Sequence, residues 1–319
     1  MRALPLAIGI VVSLASACKK DEAAPATGDR EADTDGRARR AGTIAKINVY
    51  VACLNNLDPV VRRSRDSYFE WVDPEKGPTG KEKRVGGVSE VLRESTYGFE
   101  CFKRDGGLDA VDRISVPLED LDRAGGAYRK AALEVLEVTK TARAYYEHGD
   151  YKDDGFAQGK ELHGSLVETF RQFDRASAEL SAALQEVQDR LAEEDLAELE
   201  RSEGKKAHWH HGTVMQKAKL LVRAVTADPV DRESVTAAGE AFASAYKALK
   251  EWTEANQSEA SKNVHWNNFV RYSEELLIQH KELERALRDG KDAPASSDGS
   301  VASLIGKYNQ LVELSNNMW

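Results

Sequence analysis

Residues 117–149 read PLEDLDRAGGAYRKAALEVLEVTKTARAYYEHG, and this stretch decides the fold class. Leu121, Ala124, Tyr128, Ala131, Val135, Val138, Ala142 and Tyr145 recur at alternating spacings of three and four. That is the apolar seam of a helix, not the period-two alternation of a strand. Pro117 stands where a first-turn proline is tolerated, because its missing N–H would have no helical partner. Gly149-Asp150 ends the pattern. A second seam follows at Leu166, Phe170, Phe173, Ser177, Leu180, Leu184, Val187 and Leu191. It starts near Asp153-Asp154, whose carboxylates suit the positive end of a helix dipole, and runs to about Ser202. Two long seams joined by a short break predict antiparallel packing. Ala124, Ala131 and Ala142 are small enough for Phe170 and Phe173 to approach.

Working outward, residues 118–228 and 230–293 contain no proline. Glycines cluster at the expected breaks. Further helices are expected over 43–72, with Pro59 as a kink or restart after Asp58, and over 86–104, 207–227, 231–254, 258–288 and 298–317. No alternating strand run and no internal repeat is present. The fold class is therefore all-α: an elongated bundle of long antiparallel helices with coiled-coil-like seams. The chain has 319 residues, 41% hydrophobic, 7% aromatic and 31% charged. Such a chain can bury a sizeable core, which excludes full disorder. It lacks the repeated apolar runs of about 20 residues that a multi-span membrane protein needs. A net charge of −9 without a basic patch argues against a nucleic-acid partner.

The N-terminus reads as an export signal. Met1-Arg2 is a short basic start, and Ala3 to Leu14 is an uncharged apolar run too short for a stable span. It ends in Leu14-Ala15-Ser16-Ala17-Cys18, small residues before a cysteine, as in a bacterial lipobox. Residues 1–17 are then a lipoprotein signal peptide and Cys18 the lipidated residue that anchors the protein to a membrane. Ordinary cleavage beside an incidental cysteine is the alternative. Lys19 in place of aspartate after the cysteine favours the outer membrane, facing the periplasm. Residues 18–42 hold almost no large apolar side chain and are expected to form a disordered tether. One helical domain is expected over 43–319.

Cys53 and Cys101 are the remaining cysteines. In an oxidising envelope compartment they suggest a disulfide closing about 49 residues, worth about 4 kcal/mol in the chain-entropy model. Two buried thiols are the alternative.

Several stretches together carry a family likeness. Asn48-Val49-Tyr50-Val51-Ala52-Cys53-Leu54-Asn55 is followed by Ser64, Tyr68, Trp71 and Val72, then Gly77-Pro78-Thr79-Gly80-Lys81-Glu82. Later come Tyr145-Tyr146-Glu147, Tyr151-Lys152-Asp153-Asp154, Phe156-Ala157, Gly159 and His163. The chain resembles the YiiG-like family of bacterial lipoproteins, a family of unknown function. The likeness is strong over about residues 44–205 and loose beyond. It implies an exported, lipid-anchored helical protein with two cysteines in matching places, and it implies no reaction.

Candidate chemistry is sparse. His208-Trp209-His210-His211 is the densest histidine cluster. On a helix, His208 and His211 share a face at a spacing that fits two metal ligands. A solvated helix start with one Trp packed inward is the plainer reading. Tyr145, Tyr146, Tyr151, Lys152, Asp153, Asp154 and His163 lie at one helix–turn–helix junction and form a possible recognition surface. There one of the two Asp residues would cap the helix and the Tyr pair would pack at the bundle end. Gly77 to Glu82 faintly resembles a phosphate loop. However, Glu75 and Glu82 stand where that loop needs Gly and Ser or Thr. No nucleophile elbow, His-Glu-x-x-His or dinucleotide fingerprint occurs.

No catalytic residue and no cofactor is assigned. The reading is a lipid-anchored cell-envelope protein of unassigned activity, acting as an interaction or structural module on an envelope protein or cell-wall component. Alternatives are a periplasmic small-ligand or metal-binding module and an envelope hydrolase.

Overall fold

A computed structural model of the protein describes residues 27–89, 91, 101–102, 107–289 and 299–318. Its helices are α1 (Thr27–Phe69), α2 (Leu108–Val111), α3 (Glu119–His148), α4 (Tyr151–Asp154) and α5 (Ala157–Glu203). They continue with α6 (Ala207–Thr226), α7 (Arg232–Ala255), α8 (Gln257–Ala260), α9 (Trp266–Arg288) and α10 (Val301–Asn316). Among the described residues the pairing of extended chain is limited to an isolated bridge between Asp73 and Gly77. The protein is an all-α helical bundle.

Four details differ from expectation. First, α1 begins at Thr27, inside the stretch read as a disordered tether. Residues 27–42 lack large apolar side chains and mix four Arg and three Ala, good helix formers, with three Gly and three Asp, which are poor ones. Propagating an existing helix is far easier than nucleating one. Among the residues of α1 whose burial is described, 35 onward, Thr43 is the first buried one. Second, α1 runs through Pro59 without a break. Third, the helix expected over 86–104 is not formed at 86–89 or 91. Cys101 and Phe102 are helical, and the rest of that stretch lies outside the described residues. Fourth, the helices expected from Asp153 and from residue 258 each divide into a short turn and a long helix: α4 then α5, and α8 then α9. Cys18, the signal-like segment, residues 18–26 of the tether and Trp319 lie outside the described residues.

The chain divides into two compact units, one ending at Gln188 and the other starting at Asp189. In the first unit α1, α3 and the leading part of α5 share a core. The α1 seam is Ile47, Tyr50, Leu54, Leu57, Val61, Ser64 and Tyr68, all buried. From α3, Leu121, Tyr128, Val135 and Tyr145 are buried, and from α5, Leu166, Phe170, Phe173, Leu180 and Leu184. Val138 is only partly buried while Thr139 is fully buried. The seam drifts because a straight helix turns 3.6 residues per turn, not 3.5. Each fully buried Leu or Phe contributes about 1.5–3 kcal/mol.

This apolar core has a polar centre. The Asp58 carboxylate on α1 accepts the Tyr128 hydroxyl of α3 at 2.8 Å and the Ser177 hydroxyl of α5. One carboxylate thus ties three helices. Burial pushes its pKa up, the two hydroxyls and Arg62 draw it down, and Asp174 adds to the rise.

In the second unit α6 packs on α7, α7 on α9, α9 on α10 and α10 on α6. That closed cycle is a four-helix bundle, and short connections make sequential neighbours antiparallel. Phe242, Trp266 and Phe269 fill its core together with Val214, Leu221 and Leu304. The Asp231 carboxylate caps α7 by accepting the N–H groups of Glu233 and Ser234, and the Ser300 hydroxyl caps α10 by accepting that of Ser303.

Candidate functional site

The junction of α3, α4 and α5 gathers most of the candidate residues at one end of the first unit. Gly149 ends α3 in the left-handed conformation, with φ of 80°. After α4, Gly155 and then Phe156 both take positive φ, 60° and 67°. A left-handed conformation costs a non-glycine residue about 1–2 kcal/mol. Asp154 holds it in place. Its Oδ1 accepts the Phe156 N–H at 2.9 Å and the Tyr145 hydroxyl at 2.8 Å, while Oδ2 accepts the Gln158 N–H at 2.9 Å. Asp154 therefore caps α5; Asp153 and Asp154 are both exposed. The Gln158 N–H is the largest of the influences holding the Asp154 pKa below its ordinary value; desolvation opposes it, and Tyr145 and Phe156 reinforce it. Burial first, and then Asp154, push the Tyr145 hydroxyl up.

The aromatic rings of the junction form one connected cluster. Tyr145 meets Tyr146 edge-on at 4.9 Å, and Tyr146 meets Trp71 at 5.1 Å. Tyr151 packs on Phe156 at 4.9 Å, and Lys152 lies over the Tyr151 ring at 5.6 Å. Tyr68 reaches in from α1, and its hydroxyl lies 3.1 Å from His163 Nδ1. Burial lowers the His163 pKa, opposed by the Pro74 carbonyl and Asp73. A neutral ring that gives its N–H to the Pro74 carbonyl leaves Nδ1 to accept from Tyr68. His163 and Asp154 thus have separate partners and make no acid–base pair.

Residues 73–87 cover this cluster. A Cβ on Gly77, whose φ is 69°, would lie 2.8 Å from the His163 ring, so only glycine fits there. Trp71 Nε1 donates to the Gly87 carbonyl at 2.7 Å. Within the loop, Glu82 accepts the Thr79 N–H and, at 2.8 Å, the Thr79 hydroxyl; desolvation pushes its pKa up, but these bonds and the backbone N–H groups of Glu82 and Gly80 together hold it below its ordinary value. The crook that a phosphate loop would offer to a ligand is filled by the chain's own carboxylate.

The side chains of His208, His210 and His211, weighed above as metal ligands, face different neighbours. His208 Nδ1 faces Glu203 at 3.3 Å. His210 packs between Trp209 and Trp252. His211, only 1% exposed, places Nε2 2.9 Å from the Ser315 hydroxyl of α10. Successive helix positions point about 100° apart, which sends these rings to different neighbours. Among the described residues no group of three or more His, Cys, Asp or Glu is placed to hold a metal.

Cys53 and Cys101 are both completely buried. Both lie close enough to the Tyr128 hydroxyl to influence its charge. The Tyr128 hydroxyl, which also serves Asp58, lies 3.5 Å from the Cys53 carbonyl.

The sequence reading did not assign roles to Tyr68, Trp71, Glu82 or Asp58. For Tyr68 a signal was present, as the last position of the α1 seam. Asp58 is a carboxylate beside the seam residue Leu57.

The profile of a family described as "Protein of unknown function (DUF3829)" matches residues 41–317. The chain is also similar to "Uncharacterized protein YiiG" of Escherichia coli (strain K12). The two are 27% identical over 292 residues, which cover 86% of this chain and 78% of the relative. No solved structure matches the chain.

Proposed function

The chain belongs to the DUF3829 family, whose function is unknown, and from that premise we propose that it is a lipid-anchored envelope protein that works by binding. Its anchor is Cys18, its location the periplasmic face of the outer membrane, and its partner a protein or cell-wall component of the envelope. The observation that carries the binding reading is the use of polar groups at the α3–α4–α5 junction. Asp154, Tyr145, His163 and Glu82 serve to hold the backbone and one another. What is left facing outward is a fixed surface of Tyr151, Lys152 and Asp153 on a braced turn, suited to recognition. The lipobox-like run before Cys18 supports the anchor, and an oxidising location would favour closure of the Cys53–Cys101 pair.

A photo-crosslinking residue at position 152, expressed in native cells, tests the binding surface. A discrete adduct is expected at position 152 and not at the exposed mid-helix position 179. Equal adducts from both positions refute the assignment. Cys18→Ala is expected to move the protein from the membrane to the soluble envelope fraction, and unchanged membrane recovery refutes the anchor.

A further inference from the structure

The second unit carries a basic cleft that the binding surface above does not involve. It lies between α7 and α9, with a volume of about 560 Å³. Lys281, Arg285 and Arg288 lie four and three residues apart on α9 and so form one stripe. Arg232 and Thr236, four apart on α7, face that stripe across the cleft. Val235 and Leu287 provide apolar lining.

Three features single out this cluster. Arg232, Lys281 and Arg285 form no ion pair among the described residues, in a protein whose net charge is −9. The acids nearby do not offset these cations one for one. Glu284 also lines the cleft and accepts the Thr236 hydroxyl at 3.2 Å, one acid against the four cations Arg232, Lys281, Arg285 and Arg288, while Asp231 caps α7 and Asp289 pairs with Arg288 at 3.3 Å. Finally, the helix dipole accounts for only part of the cluster. It favours Arg285 and Arg288 in the last turn of α9, but it disfavours Arg232 at the first position of α7. Like charges at i,i+4 also weaken a helix. A gathering of cations against local helix preference has a physical rationale if an anion completes it.

We propose that the α7–α9 cleft binds a phosphate-bearing ligand through Arg232, Lys281 and Arg285. Guanidinium forks match phosphate oxygens in pairs, and lysine adds a point charge. The source is a lipid headgroup or a soluble phosphate compound, and the experiment separates them. The full chain with Cys18→Ala, which cannot be acylated, is titrated with inorganic pyrophosphate by calorimetry. It is also sedimented with vesicles of phosphatidylglycerol or of phosphatidylcholine. A Lys281→Gln, Arg285→Gln variant is compared with a Lys247→Gln, Lys250→Gln control of equal charge change in the same unit. Circular dichroism verifies that both fold.

The expected loss in the cleft variant is about ten-fold or more, from two charge-assisted contacts, with the control unchanged. Binding to phosphatidylglycerol vesicles, with or without pyrophosphate, supports a headgroup. Binding to pyrophosphate alone supports a soluble phosphate compound. No binding to either probe, or equal losses in variant and control, overturns the proposal.

Discussion

Acidification should destabilise the second unit through His211. In the unfolded chain this imidazole titrates near 6.5, and in the folded chain burial lowers it to about 4, with the charge of His208 adding to the shift. Above pH 6.5 the ring is neutral in both states and its contribution is fully present. As the pH falls below 6.5 the unfolded chain takes up a proton that the folded chain refuses. Stability therefore declines, and the loss is complete once the pH has passed below about 4. A shift from 6.5 to about 4 corresponds to about 3 kcal/mol at 1.36 kcal/mol per unit. Because the side chain is 1% exposed, solvent screening removes little of this.

Urea denaturation between pH 7.5 and 4, followed by Trp252 and Trp266 fluorescence, measures the loss. The comparison is His211→Gln, which keeps a polar group near the Ser315 hydroxyl but does not titrate. His210 and His280 are also lowered by burial, so both proteins retain some slope. The capping carboxylate of Asp231 loses its contribution only below 3.8, outside the window. Wild type should lose about 3 kcal/mol more than the variant across this range. Parallel pH profiles for the two proteins would refute the reasoning.

Three further outcomes are expected. Tyr128→Phe removes one of the two hydroxyls on Asp58 and should cost the first unit about 1–3 kcal/mol in urea denaturation, the range for leaving a buried acceptor short of a partner; an unchanged midpoint counts against the three-helix tie. Asp154→Ala removes the α5 cap and the support for Phe156 and should lower thermal stability by about 1–2 kcal/mol, whereas Asp153→Ala should have no measurable effect. Protein recovered from the envelope and digested without reductant should yield a Cys53–Cys101 linked peptide, while recovery of both cysteines as alkylated thiols rejects the bond.

The long seams were legible because helical periodicity is a local property. Leu121 to Tyr145 and Leu166 to Val187 could be placed from spacing alone, and α6 and α7 likewise within a residue or two. The start of α1 was not legible by the same route. Lack of apolar side chains reports on packing, whereas residues 27–42 continue α1 outward from its packed part. The junction was legible as a place and only partly as an arrangement. Asp154 could be expected to cap, but nothing local distinguishes it from Asp153. Tyr68 on His163 and Gly77 under the same ring join positions about 90 residues apart, and no short-range pattern encodes such pairs. The histidine run reads as a solvated helix start, and nothing local marks His211 as buried, because its partner Ser315 lies far along the chain.

The Asp58 clasp also pins the helices against sliding. A shift of α3 by one turn would bring Ala124 or Ala132 opposite the carboxylate in place of Tyr128, and neither can donate. A shift of α5 would bring Phe173 or Ser181 in place of Ser177, so slippage in one direction loses that donor too. Apolar seams with a repeating three-and-four spacing tolerate such slips, because a Leu one turn away fits nearly as well. A buried carboxylate does not: Arg62 on the same helix would stay beside it, but losing a hydroxyl donor from a buried acceptor costs about 1–3 kcal/mol. Among several nearly equivalent alignments of the same three helices, a single acidic side chain selects one.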